Sequence, residues 1–241
     1  MKWSAIILAG GESWRMKPHI WIPKPLVELN DGVTLLEWQV GRLKRSGIDN
    51  IVVVSREFRI PELDVQWMFS KPEWGTGGAL KRALELTDSE VVYALNCDDI
   101  VLDSPKSMMS FTQTAFKLHS NASLILAVSR ARIPYGMIKL ARATRRGEQV
   151  PLVTVFQEKP FLRKFVSCGH YIWKADDAKI YLPDEGDLEQ TTLPVLAKRR
   201  SIVGYVVKLG WITINTYKDL LNARQALRQI EKSRETSVGV L

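Results

Sequence analysis

Residues 4–18 read SAIILAGGESWRMKP, an apolar run from Ala5 to Ala9 that stops at the pair Gly10-Gly11. An unbroken apolar strand of this kind is covered on both faces, as the central strand of a parallel sheet is. Two glycines directly after it allow backbone N–H groups to approach an anion closely. Arg15 and Lys17 follow on the same loop, and Lys24 follows in Pro23-Lys24-Pro25-Leu26. Such cations can neutralise a triphosphate, arginine bidentately. On the glycines alone, a tight strand-to-loop turn with incidental basic residues reads equally well. The loop is not the GxGxxG dinucleotide fingerprint, because the third glycine and the immediate helix are absent, and no GK[ST] makes it a Walker A loop.

Outward from this loop, strand-like and helix-like runs alternate. Residues 35–45 carry apolar side chains at helical spacing and stop near Gly47. Residues 51–54, 91–95 and 123–128 read as buried strands, 77–86 and 105–118 as helices, and 64–69 as a further strand. The link from 51–55 to 64–69 has only about eight residues, short for a helical crossover of a dozen. In the second half, 136–140, 151–157, 166–173 and 202–208 read as strands and 187–199 and 216–232 as helices, with Arg142, Arg145 and Arg146 as a basic turn. The alternation predicts an α/β fold, a mostly parallel mixed sheet flanked by helices. One domain over 1–241 fits, with a first half to about residue 130 and a second half after it.

Composition narrows the function classes. The chain is 46% hydrophobic and 25% charged, ordinary for a globular protein, with a formal net charge of +8. The positive balance points to an anionic partner without choosing among nucleic acid, membrane and phosphorylated small molecules. No nucleic-acid motif and no apolar stretch near the roughly 20 residues of a membrane span is present, so neither nucleic acid nor membrane is expected as partner. Cys97 and Cys168 have no CxxC spacing and read as free thiols of a cytoplasmic protein. His19, His119 and His170 form no nucleophilic triad with a serine or cysteine.

The first loop resembles the signature LAGGxGTRLxPLTxxxPKPL of the sugar-1-phosphate nucleotidyltransferases, and further pieces follow in order. Trp74-Gly75-Thr76-Gly77-Gly78-Ala79 resembles LGTxGA, Asn96-Cys97-Asp98 resembles NGD, and Tyr135-Gly136 with Glu158-Lys159-Pro160 resembles YG…EKP. Ser167-Cys168-Gly169 stands where NAG is usual. Leu188-Glu189…Leu193-Pro194 resembles E…LP, and Gly210 to Thr216 stands where GxWxDIGT is usual. The set looks most like mannose- or heptose-1-phosphate guanylyltransferases, with glucose-1-phosphate thymidylyl- and uridylyltransferases close behind.

The resemblance implies a Rossmann-like GT-A nucleotidyltransferase fold that joins a nucleoside triphosphate to a sugar 1-phosphate with release of pyrophosphate. It assigns Arg15 and Lys24 to the phosphates, Asp98 to Mg²⁺, and Leu8, Ala9, Gly10, Gly11, Gly75, Thr76 and Gly77 to the nucleotide. Tyr135, Gly136, Glu158, Lys159 and Gly169 fall to the sugar phosphate, and a homodimer is the family-level expectation. The attacking phosphate is already ionised near neutrality, so positioning and charge neutralisation suffice without a general base. Four departures stand out: Ser13 for a glycine, Trp14 for a small threonine, Cys97 for a glycine, and Thr213 for the second metal aspartate. A hydroxyl is a poorer Mg²⁺ ligand than a carboxylate. The competing reading is therefore a catalytically impaired nucleotide- or sugar-binding regulatory relative, with a carboxylate near Asp98 as the discriminator. Asp99 supplies one only if the chain has already turned there, because successive strand side chains point to opposite faces.

Overall fold

The computed structural model describes residues 1–11, 13–145 and 148–238. Arg146 lies outside them. In chain order the strands are β1 (Trp3–Leu8), β2 (Glu28–Asn30), β3 (Val33–Thr34), β4 (Ile51–Ser55), β5 (Gln66–Phe69), β6 (Val91–Asn96), β7 (Asp99–Val101), β8 (Leu124–Arg132), β9 (Met137–Arg145), β10 (Glu148–Gln157), β11 (Phe161–Lys174), β12 (Ile202–Val206) and β13 (Trp211–Thr213). The helices are α1 (Leu35–Arg45), α2 (Gly75–Leu84), α3 (Pro105–Leu118), α4 (Ala175–Tyr181), α5 (Leu188–Lys198) and α6 (Tyr217–Val238).

Helix α1 shows how locally the boundaries are set. The Thr34 hydroxyl accepts from the Glu37 N–H, and the Glu37 carboxylate accepts from the Thr34 N–H, a capping box. Leu35, Leu36, Val40 and Leu43 fill one buried stripe, and Gly47 at φ +86° turns the chain away.

Seven strands form the main sheet in the order β12-β8-β11-β6-β1-β4-β5. All neighbours run parallel except β11, which is antiparallel to both β6 and β8. Period-2 alternation divides the core. Ile7, Val53, Leu95 and Ile125 join the side chains of α1, α3 and α6, while Ile6, Val52, Val54 and Trp173 join those of α2, α4 and α5. Each such large apolar side chain contributes on the order of 1.5–3 kcal/mol by its burial.

The short link from β4 to β5 holds no helix. The two strands still pair in parallel, Val52 opposite Gln66, because residues 56–65 make the return as an irregular loop under the sheet edge. The expected strand at 166–173 is the inner part of the longer β11. Arg142 and Arg145 belong to β9 rather than to a turn, and β9 and β10 pair only with each other, as a ribbon outside the main sheet.

Candidate active site

The carboxyl ends of β1 and β6 meet where the glycine pair begins, the general position for ligands of open α/β sheets. The Ala9 N–H donates to the Val54 carbonyl and the Cys97 N–H to the Leu8 carbonyl, which pins the loop between three strands. Beyond the glycines the chain makes a short 3₁₀ turn, Trp14–Met16, anchored by the fully buried Met16. Ser13 has φ 54°, a left-handed conformation, which is the reason a glycine suits this position. The serine compensates with its hydroxyl, which accepts from the Lys24 N–H at 2.9 Å and ties the loop to the Pro23–Leu26 segment.

Lys24 and Asp98 are brought together. The ammonium donates to Asp98 Oδ2 at 2.6 Å, with the lysine largely buried and the aspartate partly exposed. They line a small cavity of about 40 Å³ with Ala9 and Gly11. On the other side of Gly11 a cleft of about 360 Å³ opens, walled by Trp14, Lys17, Trp21, Arg56 and Phe58 among others. The glycine pair therefore separates an aromatic, cationic cleft from a lysine–carboxylate pair. Trp14 does not bury itself. It stays two-thirds exposed, with the Lys17 ammonium 4.0 Å from its ring centroid and 4.9 Å from that of Trp21. Arg15 stands exposed on the turn and lines neither cavity. Lys17 and Arg56 supply the cleft's cations, and the Arg56 side chain lies where a Cβ on Gly10 would meet it at 3.3 Å. Arg56 and Trp21 belong to no part of the family signature, and only their nearness to β4 and to the Pro23-Lys24-Pro25 segment could have marked them.

The chain has turned after Asp98, so Asp99 starts β7 and pairs across from Thr213 of β13. Its carboxylate is buried, accepting from Trp211 Nε1 at 3.0 Å and Asn96 Nδ2 at 3.2 Å. Burial, and secondarily the neighbouring Asp98 charge, push it up to about 6. Thr213 Oγ1 accepts from Asn215 Nδ2 at 3.1 Å, and the Asp98 carbonyl accepts from the Ile214 N–H. Among the described residues no cluster of three His, Cys, Asp or Glu could hold a metal ion. A Mg²⁺ ion that takes one carboxylate, waters and substrate phosphates needs no such cluster. Asp98 fits that mode, and the Lys24 ammonium on its oxygen shows that the carboxylate accepts a cation in this place.

Two buried polar side chains hold the turn. Gln39 Nε2 donates to the carbonyls of Asp99 at 2.8 Å and Cys97 at 3.2 Å. His170 Nε2 is 2.8 Å from the same Asp99 carbonyl, and its Nδ1 is 2.8 Å from the Tyr93 hydroxyl. A carbonyl only accepts, so Nε2 carries the proton and Nδ1 accepts from Tyr93. With both ring nitrogens engaged and the Cys168 thiol pushed up to about 12 by burial, this pair is not a metal site. Gln39 interrupts the apolar stripe of α1, the one sequence signal that could have found this support.

Burial holds His170 neutral, its folded pKa pushed down to about 3 against about 6.5 in the unfolded chain. The unfolded state therefore binds one more proton between these values, and stability is lost as pH falls below about 6.5, by up to ~1.4 kcal/mol per pH unit. Urea denaturation of His170→Gln from pH 7 to 5 should show a pH dependence shallower than wild type by that amount. Equal slopes would mean that His170 is protonated in the fold.

Cys168, Gly169 and His170 form an irregularity where the β11–β8 register slips. Gly169 has φ +67°, and a Cβ there would fall on the Asp99 carboxylate and 2.7 Å from Asn96 Nδ2. Tyr135 and Gly136 stand at the root of the β9–β10 ribbon, where Glu158 and Lys159 form an exposed ion pair of 3.4 Å. Gly75, Thr76 and Gly77 open α2 against the segment 183–188. The Thr76 N–H donates to Asp187, the Gly77 N–H to the Gly186 carbonyl, and the Leu188 N–H to the Thr76 hydroxyl. Cβ atoms on Gly75 or Gly77 would overlap Gly186 and Pro183. In this arrangement the three residues lock α2 to α5, and only Pro72 from this region lines the cleft.

Residues 5–165 match the model of the MobA-like NTP transferase domain. The mannose-1-phosphate guanyltransferase of Yarrowia lipolytica is 27% identical over 90% of this chain, which spans 62% of that protein's length. The D-glycero-alpha-D-manno-heptose 1-phosphate guanylyltransferase of Campylobacter jejuni is 28% identical over 71% of this chain and 76% of its own. A putative glucose-1-phosphate thymidylyltransferase of Bacillus anthracis shares the fold, with a TM-score of 0.69 over 94% of this chain and 95% of its own at 15% identity.

Proposed function

We propose, from the premise that the chain belongs to the MobA-like NTP transferase domain family, that it transfers a nucleotidyl group to a sugar 1-phosphate and releases pyrophosphate. The observation that carries this reading is the Lys24–Asp98 pair, set across the glycine pair from a cationic, aromatic cleft. The base of the nucleotide would lie in the cleft against Trp14 or Trp21, and Lys17, Arg56 and Lys24 would offset the triphosphate charge. Tyr135, Gly136, Glu158, Lys159 and Gly169 would form the sugar-phosphate end. Leu8, Ala9, Gly10 and Gly11 would line the nucleotide from the sheet side. A sugar-phosphate oxygen attacks the α-phosphorus in line as the bond to pyrophosphate breaks, and no side chain needs to remove a proton. Mg²⁺, when bound, would be held by Asp98 and would supply charge neutralisation at the phosphates.

The two relatives above are named guanylyltransferases, which makes GTP with mannose or heptose 1-phosphates the first pair to try. The test is pyrophosphate release with Mg²⁺ over a matrix of nucleoside triphosphates and sugar 1-phosphates. Release that requires one particular pair supports the reading, and silence from folded protein overturns it. The binding-only alternative draws on Thr213, whose hydroxyl is engaged with Asn215. It predicts calorimetric nucleotide binding without release.

Arg15 is the exposed cation of the loop, and we assign it to the phosphates of the bound state. Arg15→Ala is then expected to lower kcat by ~10²-fold, the scale of one lost transition-state contact, at unchanged Tm. A rate within a few-fold of wild type would remove it from the site.

A further inference from the structure

The cleft beside the glycine pair holds one charge of the wrong sign for phosphates. Glu57 lines it together with the cations Lys17 and Arg56, the one carboxylate among the described residues that do so. The side chain is exposed, and among the described residues its carboxylate has no ion-pair or hydrogen-bond partner. A triphosphate repels a carboxylate, so Glu57 answers to some other part of a ligand.

The chain around Glu57 is tied down on both sides. Ser55, fully buried, donates through its hydroxyl to the Phe58 carbonyl at 2.6 Å and closes the four-residue turn 55–58. The Ser70 N–H donates to the Ser55 carbonyl at 2.8 Å, which fastens the turn to the end of β5. Phe58 packs against the core and meets Trp67 edge-on, with ring centroids 6.1 Å apart. Arg56 takes the side of the glycine pair, its Cγ 3.3 Å and its Nε 3.7 Å from the place of a Cβ on Gly10. Glu57 follows it on the same turn, in a cleft that Trp14 and Trp21 also wall.

We propose that Glu57 reads the edge of the base and selects guanine. This rests on the nucleotide reading above and extends it to the choice of base. An indole that covers the face of a base leaves its edge to be read by hydrogen bonds in the plane of the ring. An ionised carboxylate brings two acceptor oxygens and no donor. Guanine answers it with two adjacent donors, N1–H and the N2 amino group. Adenine and cytosine set a bare ring nitrogen beside their amino group, and uracil flanks its N–H with carbonyls, so each turns a lone pair toward the carboxylate. Hydrogen bonds to a charged group discriminate by about 10–100-fold.

Calorimetry of the full chain with nucleoside diphosphates tests this without turnover. GDP is expected to bind about tenfold or more tighter than inosine diphosphate, which lacks only the N2 amino group, and tighter than ADP. Glu57→Ala should bring GDP and inosine diphosphate within about twofold of each other, and should tighten ADP, from which a repulsive charge has gone. Glu57→Gln should gain most for ADP, because an amide accepts from N6 and donates to N1. Loss of a merely structural side chain would weaken all three ligands alike. A wild type that binds no diphosphate overturns the nucleotide reading and this proposal with it. Equal binding of GDP and inosine diphosphate, or a Glu57→Ala that keeps the preference, overturns the choice of base and leaves the cleft as a nucleotide site. A Glu57→Ala that loses discrimination against 2′-deoxy-GDP instead places the carboxylate on the ribose and overturns it too.

Discussion

Asp98→Asn is expected to lower pyrophosphate release by ~10³-fold or more while the protein stays folded. The substitution keeps the shape of the side chain and leaves the Asp98 carbonyl bonded to the Ile214 N–H. It removes the charge that faces the Lys24 ammonium at 2.6 Å and that would hold the cation of the bound phosphates. Some stability is lost as well, because the largely buried ammonium loses its carboxylate, but the partly exposed position of Asp98 keeps the loss to about 1 kcal/mol. Turnover across a Mg²⁺ titration and the thermal midpoint, measured together, separate the two effects. An Asp98→Asn enzyme within fivefold of wild type at every Mg²⁺ level would remove Asp98 from the centre of the chemistry.

Gly169→Ala should be strongly destabilising. The residue has φ +67°, which costs an L side chain ~1–2 kcal/mol. The methyl would also land on the Asp99 carboxylate and against Asn96, an overpacking cost of ~1–3 kcal/mol. The sum corresponds to a fall in Tm of roughly 10 °C for a chain of this size. Gly47→Ala is the control. Its φ of +86° imposes a similar backbone cost, and nothing lies within 4 Å of the added methyl. Equal falls in Tm for the two would show that Asp99 moves aside freely. A larger fall at Gly169 ties the irregularity in β11 to the geometry of the Asn96–Asp99 turn.

Much of the frame was readable before the structure because it rests on local chemistry. The run Ala5–Ala9 makes a central strand, and the apolar runs over 35–45 and 105–118 make α1 and α3. What resisted reading depends on contacts between distant segments. Nothing in Gly75-Thr76-Gly77 says that Gly186 will occupy the space beside it, so a packing role and a ligand role look identical in the sequence. Lys24 and Asp98 were both legible by resemblance, but their mutual ion pair needs β1 and β6 side by side. Arg56 and Trp21 enter the cleft only because the short β4–β5 loop and the Pro23–Leu26 segment fold toward it. Asp99 was legible only conditionally. The turn does occur, and Trp211 and Asn96 then hold its carboxylate.

The Trp14–Lys17–Trp21 arrangement also gives the protein an optical signal of its own. Two indoles in water emit at long wavelength, whereas Trp173, fully enclosed in the core, emits at short wavelength. A purine entering the cleft must part Lys17 from these rings and set its own π-face against one of them. On the proposed reading the red side of the emission band, to which five partly exposed tryptophans elsewhere also contribute, would dim as the cleft fills. If the proposed cleft takes a nucleotide, that dimming would report its occupancy with unlabelled ligand.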